Sequence, residues 1–163
     1  MAGPRQGKKH KSEAKGARIL VVEARYYDEI ADFLLAGAMK VLNGASAKVD
    51  CVTVPGSLEI PVAIVIALDT AQKKGRPYDG VVALGCVIRG DTIHFEIVSQ
   101  LSAQGLMELS IARGVPIGNG IVTVNTLTQA TARARVEEQD KGGDAARAAL
   151  MLVAVKRRLT RGK

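Results

Sequence analysis

The sequence predicts an α/β fold, a three-layer α/β/α sandwich around a four-stranded parallel sheet, and three observations carry that expectation. Strand-like apolar runs alternate with helical periodicities four times along the chain, the pattern of right-handed crossovers covering a parallel sheet on both faces. Two of the runs, Ala17 to Val22 and Asp79 to Val87, are almost continuously apolar rather than alternating, as strands buried on both sides require. The chain has 163 residues, 47% of them hydrophobic, which suits one domain with a full core.

The elements follow in order. The first strand begins at Ala17 and leads into a helix over Tyr27 to Asn43, where Ile30, Phe33, Leu34, Ala38 and Leu42 recur at helical spacing and Asn43-Gly44 ends the run. Val49, Cys51 and Val54 alternate as a second strand that stops at Pro55-Gly56, and Glu59 to Lys74 forms a second helix with Pro61 tolerated in its first turn. After the third strand, Asp91 to Arg113 reads as a long helix with Ile97, Leu101, Leu106 and Leu109 toward the core, closed by Gly114 and Pro116. Gly120 to Val124 is the fourth strand. Helices over Thr128 to Arg135 and Gly143 to Leu159 finish the chain, and no internal repeat is visible.

Charge distribution says more than the net +7. Residues 1–18 contribute +5, residues 156–163 another +5, and the body between them is net −3. With no Trp, two Phe and three Tyr, the body lacks the basic, aromatic face that nucleic-acid binding needs, so neither nucleic acid nor membrane is an expected partner. Residues 1–16 are expected to be a disordered basic arm and 17–163 the single domain. No apolar stretch is long enough to span a bilayer, no secretory core precedes the domain, and a cytoplasmic location is expected. Cys51 and Cys86, each among β-branched neighbours, read as reduced core thiols.

In such a sheet ligands bind beyond the carboxyl ends of the strands. The segment after the third strand, Gly85 to Glu96, has the glycine spacing of a nucleotide P-loop but Asp91-Thr92 where a lysine followed by Ser or Thr belongs, which argues against a triphosphate site. Two readings then stand side by side: Asp91 or Thr92 caps the following helix, or the N–H groups of Gly90, Asp91 and Thr92 form a site for one phosphate. His94, the one histidine outside the basic arm, is a candidate proton shuttle beside that turn. No second histidine or cysteine cluster offers a metal site. Pro55 and Gly56 are explained by turn chemistry, and Ser57 by capping. Glu59, by contrast, places a carboxylate where it could accept hydrogen bonds from a polyol. Tyr26 and Tyr27 offer a stacking surface after the first strand, with a core role the default for one of them. Arg133, Arg135, Lys141 and Arg147 are, taken singly, helix-surface charges.

Together these segments resemble the 6,7-dimethyl-8-ribityllumazine synthase family. The resemblance is carried by Val54-Pro55-Gly56-Ser57-Leu58-Glu59-Ile60-Pro61, by Gly85 through Phe95, by Gly120-Ile121-Val122-Thr123 with Gln129-Ala130, and by Lys141-Gly142, and it spans about residues 17–159. It implies a flavodoxin-like subunit that condenses 5-amino-6-(D-ribitylamino)uracil with 3,4-dihydroxy-2-butanone 4-phosphate, the penultimate step of riboflavin biosynthesis. No cofactor and no metal is implied, and the sites are shared between neighbouring subunits of a pentamer. Tyr26 then matches an aromatic that stacks on the pyrimidine, while Ser57, Leu58 and Glu59 match the turn that holds the ribityl chain. Cys86, Val87 and Ile88 match the strand end that borders the ring. Gly90, Asp91 and Thr92 match the phosphate turn, and His94 the proton-transfer residue. Arg133 matches a phosphate-binding arginine of the adjacent subunit, and Lys141 and Asp144 a nearby charged pair. Asn119 stands where the family often has Phe, and Asn125 and Thr128 where acidic residues are common.

The family resemblance also sets expectations for assembly. The link Arg135-Val136-Glu137-Glu138-Gln139-Asp140 replaces the glycine-containing turn typical of relatives that build shells from pentamers, and it puts carboxylates where rings would meet, so a free pentamer is expected. Riboflavin synthase is the candidate macromolecular partner. Two other function classes remain in view: a flavodoxin-fold carrier of flavin-like or phosphorylated ligands that lost turnover, and nucleic-acid binding through the tails.

Overall fold

The computed structural model describes residues 13–162. Four parallel strands, β1 (Arg18–Ala24), β2 (Lys48–Val54), β3 (Gly80–Ile88) and β4 (Ile117–Val124), lie in the order β2-β1-β3-β4. The helices are α1 (Asp28–Gly44), α2 (Ile60–Lys73), α3 (His94–Arg113), α4 (Leu127–Ala134) and α5 (Lys141–Thr160), with a 3-10 turn at Ser57–Glu59 before α2. The predicted α/β class and four-stranded parallel sheet are found. No helix among the described residues is long and apolar enough to cross a membrane.

Alternation along β1 builds two cores from one strand. Ile19 and Val21 pack with Leu34, Leu42, Val82, Leu84, Ala149 and Val153 on one face. Leu20, Val22 and Ala24 pack with Ile60, Ile64, Val81, Ala83 and Leu106 on the other. Thus α1, α4 and α5 cover the first face, and α2 and α3 the second. β3 is buried from Gly80 through Val87, as its unbroken apolar run requires.

On the first face the layers approach closely. A methyl group at Gly142 would overlap the Leu34 carbonyl, and one at Gly118 would overlap the Ala145 carbonyl, so glycine sets the spacing of α5 against α1 and β4. Asp140 caps α5 from a left-handed conformation (φ 46°), with its Oδ1 accepting from the Gly143 N–H at 3.1 Å and its Oδ2 from Arg147 at 3.0 Å.

Several expectations need correction. The expected arm falls partly on residues 1–12, outside the described ones, but Ala14 is fully buried and the Gly16 N–H bonds the Ala45 carbonyl. Cys51 is exposed because β2 is an edge strand, whereas Cys86 is buried. α3 begins at His94, not Asp91, because residues 91–93 bend and Thr92 Oγ1 accepts from the His94 N–H at 3.3 Å. Its core stripe is Val98, Ser102 and Leu106, while Ile97 and Leu101, expected in the core, are 41% and 52% exposed. α3 carries two apolar faces, and periodicity alone favours neither. β4 starts at Ile117, earlier than expected, because Gly118 and Gly120 sit within the strand where α5 presses on it.

The α5 contact gives a stability test. Gly142→Ala should destabilise the fold by about 2–3 kcal/mol through overpacking against backbone, a fall in Tm of roughly 5–10 °C for a domain of this size. Gly44→Ala, with open space around it, should leave Tm unchanged or higher. Calorimetry of the two variants checks both.

Candidate functional site

A cleft of ≈ 510 Å³ opens at the carboxyl ends of β1, β2 and β3, a volume in the range of small-molecule sites. Its walls are Tyr26 and Tyr27 after β1, residues 55–59 after β2, and Cys86, Val87, Ile88, Gly90, Thr92, His94, Phe95 and Val98 from β3 and α3. The segment after β4, also expected to face a ligand, does not line it.

On the β2 side, Pro55-Gly56 turns the chain into the 3-10 turn. Ser57 is 4% exposed, yet its Oγ has no hydrogen-bond partner among the described residues. A buried hydroxyl without a partner costs about 1–3 kcal/mol, which a ligand hydroxyl would relieve. Gly85 makes room for it, since a Cβ there would stand 2.7 Å from Ser57 Oγ. Glu59 is exposed at the mouth, and Gly56 is tight against it: a Cβ at Gly56 would lie 2.9 Å from Glu59 Oε2.

Across the cleft, Tyr26 is 75% exposed, with its ring edge-to-face against Tyr27 at 5.0 Å. Burial, followed by the neighbouring Cys86 and Tyr26, pushes the Tyr27 phenol up. Burial alone pushes the Cys86 thiol up to about 11, so Cys86 is a neutral apolar wall at neutral pH.

At the third side, β3 runs out into the exposed turn Arg89 to Ile93. His94 opens α3, is exposed, and its ring has no hydrogen bond among the described residues. Arg89 braces the turn. Its guanidinium stacks 4.3 Å from the Phe95 ring, pairs with Glu96, and donates from Nε to Asn125 Oδ1 at 3.0 Å. The Arg89 pairing holds the Glu96 carboxyl below the usual carboxylate range.

The structure therefore gathers Tyr26, Ser57, Leu58, Glu59, Cys86, Val87, Ile88, Gly90, Thr92 and His94, with Asp91 in the same turn though not on the cleft wall. It does not bring Asn119, Arg133, Lys141 or Asp144 to this cleft. Asn119 is exposed on β4, its Oδ1 accepting from the Ile121 N–H at 2.9 Å, and Arg133 on α4 donates to the Gln129 carbonyl at 3.2 Å. Lys141 and Asp144 pair at 3.1 Å, and Asp144 also binds Arg147 at 2.7 Å. Phe95 and Val98 also line the cleft, beyond the residues that the sequence marks as candidates. Val98 lies one helical turn after His94, so a correctly phased α3 stripe is the signal that finds it.

Cys86 gives the site a chemical signature. At pH 8 its alkylation by iodoacetamide should be about a hundredfold slower than that of an ordinary thiol, because the thiolate is the reacting form, and should quicken about tenfold per pH unit between pH 8 and 9.5. Mass spectrometry of the Cys86 peptide over time checks this.

Comparison with known proteins fits this geometry. Residues 16–157 match the family model for 6,7-dimethyl-8-ribityllumazine synthase. A 6,7-dimethyl-8-ribityllumazine synthase of Nitrobacter hamburgensis is 62% identical over 153 residues, 94% of each chain. One from Rhodopseudomonas palustris is 58% identical over 163 residues, 99% of this chain and 100% of the relative, and one from Azorhizobium caulinodans is 60% identical over 88% of each. With this identity maintained along nearly the whole chain, and with two of the segments that carry the resemblance, residues 54–61 and 85–95, meeting at one cleft, the protein belongs to the 6,7-dimethyl-8-ribityllumazine synthase family, enzymes of riboflavin biosynthesis.

Proposed function

We propose that this chain condenses 5-amino-6-(D-ribitylamino)uracil with 3,4-dihydroxy-2-butanone 4-phosphate to 6,7-dimethyl-8-ribityllumazine, releasing phosphate and water, as the penultimate step of riboflavin formation in the cytoplasm. The observation that carries this reading is the unpartnered Ser57 hydroxyl, buried at the foot of a cleft that also holds an aromatic shelf and a glycine turn beside a histidine. Ser57, Leu58 and Glu59 receive the ribityl chain, with Glu59 accepting from its hydroxyls. Tyr26 stacks on the pyrimidine, which lies along Cys86, Val87 and Ile88.

Gly90, Asp91 and Thr92 present N–H groups to the phosphate, and Arg133 of a neighbouring subunit completes its charge balance, with Lys141 and Asp144 close by. The amine and the ketone react without activation once held together. Orientation is thus the main contribution, with effective molarities of about 10⁵ M or more available to well-placed pairs. Proton transfer by His94 adds a smaller factor, from the amine as the imine forms and to the departing oxygen as water and phosphate leave.

The proposed assembly is a pentamer of single domains, each preceded by the basic arm. Exposed apolar side chains on α2 and α3, among them Val62, Ile66, Leu101, Met107 and Ile111, support burial against a neighbour. A free ring rather than a shell is supported by the α4–α5 link, where Glu137 and Glu138 are exposed.

Incubating the purified protein with the two substrates should produce the absorbance and fluorescence of the lumazine, and none from either substrate alone. His94→Ala should lower turnover by about ten- to a thousandfold with the assembly intact; wild-type turnover in that variant would remove His94 from the mechanism.

Arg133→Lys keeps the charge and loses the planar fork, so the KM for the butanone phosphate should rise more than that for the pyrimidine. Mixed oligomers of impaired Arg133 and His94 variants should be more active than either variant alone, and mixtures of confirmed composition that are not would count against shared sites.

A further inference from the structure

The loop that carries Tyr26 is tied down by one guanidinium. All three nitrogens of Arg25 donate: Nε to Asp28 Oδ1 at 3.0 Å, Nη1 to both Glu23 oxygens at 3.2 and 3.0 Å, and Nη2 to the Asp28 carbonyl at 3.3 Å and to Asp32 Oδ1. Glu23 is 4% exposed, pairs with Thr53 and Leu84 in the sheet, and accepts from the Thr53 hydroxyl at 3.0 Å. The Arg25 N–H bonds the Val54 carbonyl at 3.1 Å. One residue therefore joins the end of β1, the first two turns of α1, and the last two residues of β2, immediately before Pro55-Gly56-Ser57.

Among the described residues, Glu23, Asp28 and Asp32 form ion pairs with Arg25 alone. Glu23 would then be a buried charge without a cationic partner. The elements that Arg25 joins carry Tyr26 and Ser57, which line one half of the cleft, whereas the Gly90–Thr92 turn is braced separately by Arg89 with Glu96 and Asn125. We propose that Arg25 is a positioning residue that sets the ring- and polyol-binding half of the cleft and leaves the phosphate half untouched. This rests on the proposed assignment of the two halves to the two substrates.

The test compares Arg25→Lys, the double variant Glu23→Gln/Arg25→Met, and Arg18→Met. The last removes an arginine from the opposite end of β1, where it bonds Asp50 at 2.8 Å and stacks on Tyr78. Lysine keeps the charge but cannot reach three carboxylates at once. In Arg25→Lys the KM for the ribityl-pyrimidine should rise about tenfold, with the KM for the butanone phosphate within about twofold and kcat within about threefold. The double variant, which no longer buries an unpaired charge, should fold and keep the same split. Arg18→Met should show no split.

Hydrogen exchange gives a readout independent of turnover. The amides from position 25 to 31, and those of Gly56 and Ser57, should exchange faster in both Arg25 variants, with those of residues 90–92 unchanged. Equal rises in both KM values, a double variant with wild-type KM values, or unaltered exchange around Tyr26 would each overturn the proposal. A wild-type protein that forms no lumazine would overturn the proposed function instead, and the exchange comparison would still decide the role of Arg25.

Discussion

Everything in this molecule hangs on the pairing of β1 with β3 at the centre of the sheet. Both strands are covered on both faces, and their register, Ile19 with Gly80 through Glu23 with Leu84, fixes where each of them ends. Chemistry finds little room on either face of such a strand, because nearly every side chain there is buried in packing. It is displaced to the carboxyl ends, where Cys86 to Ile88 become the floor of the cleft and the flanking loops its walls. The same burial explains why the floor is uncharged: Cys86 stays a thiol, and Val87 and Ile88 offer only apolar surface.

Two designs of loop meet at that floor. The turn after β2 combines packing, with Ser57 pressed against Gly85 and Ile60 fully buried beneath it, with the Arg25 N–H bond to the Val54 carbonyl just before it. The loops after β1 and β3 are instead exposed, and each is held by an arginine that satisfies several acceptors at once, Arg25 on Glu23, Asp28 and Asp32, and Arg89 on Glu96 and Asn125. An exposed ion pair alone contributes little to stability. A planar guanidinium shared among several acceptors restricts geometry as well as energy, and geometry is what a binding loop needs.

The legible parts of the sequence were those with a single physical explanation. Ala17 to Val22 and Asp79 to Val87 could only be buried strands, and Pro55-Gly56 could only be a turn. Pro61 sits in the first turn of a helix, the one helical place that suits its missing N–H. Misreadings arose where two explanations share one pattern. Ile97 and Leu101 have the spacing of core residues but lie on the exposed face of α3, since a surface suited to a neighbour is as apolar as a core. Cys51 looks like its buried counterpart until the strand order makes β2 an edge. The candidate site was legible as a cleft wherever the loops after β1 to β3 line it. Asn119, Arg133, Lys141 and Asp144 lie on β4, α4 and α5, away from the cleft of their own chain, and the spacing of residues within one chain carries no information on whether they face a second chain.

That division has a chemical logic. In the proposed condensation of an amine with a ketone that need only be brought together, the enzyme's main contribution is the entropy removed by fixing both partners before they react. A single mobile wall would forfeit much of that gain, because an effective molarity falls as the range of approach geometries widens. The cleft meets the requirement with means that depend little on pH or on bound ions: a packed floor, a glycine-fitted turn, and guanidinium groups that stay charged throughout the physiological range. His94, the side chain proposed to move protons, stands exposed at the rim with no partner to its ring among the described residues. On the proposed mechanism, rigidity is thus invested in the walls that position, and freedom is left to the group proposed to exchange protons with both substrate and solvent.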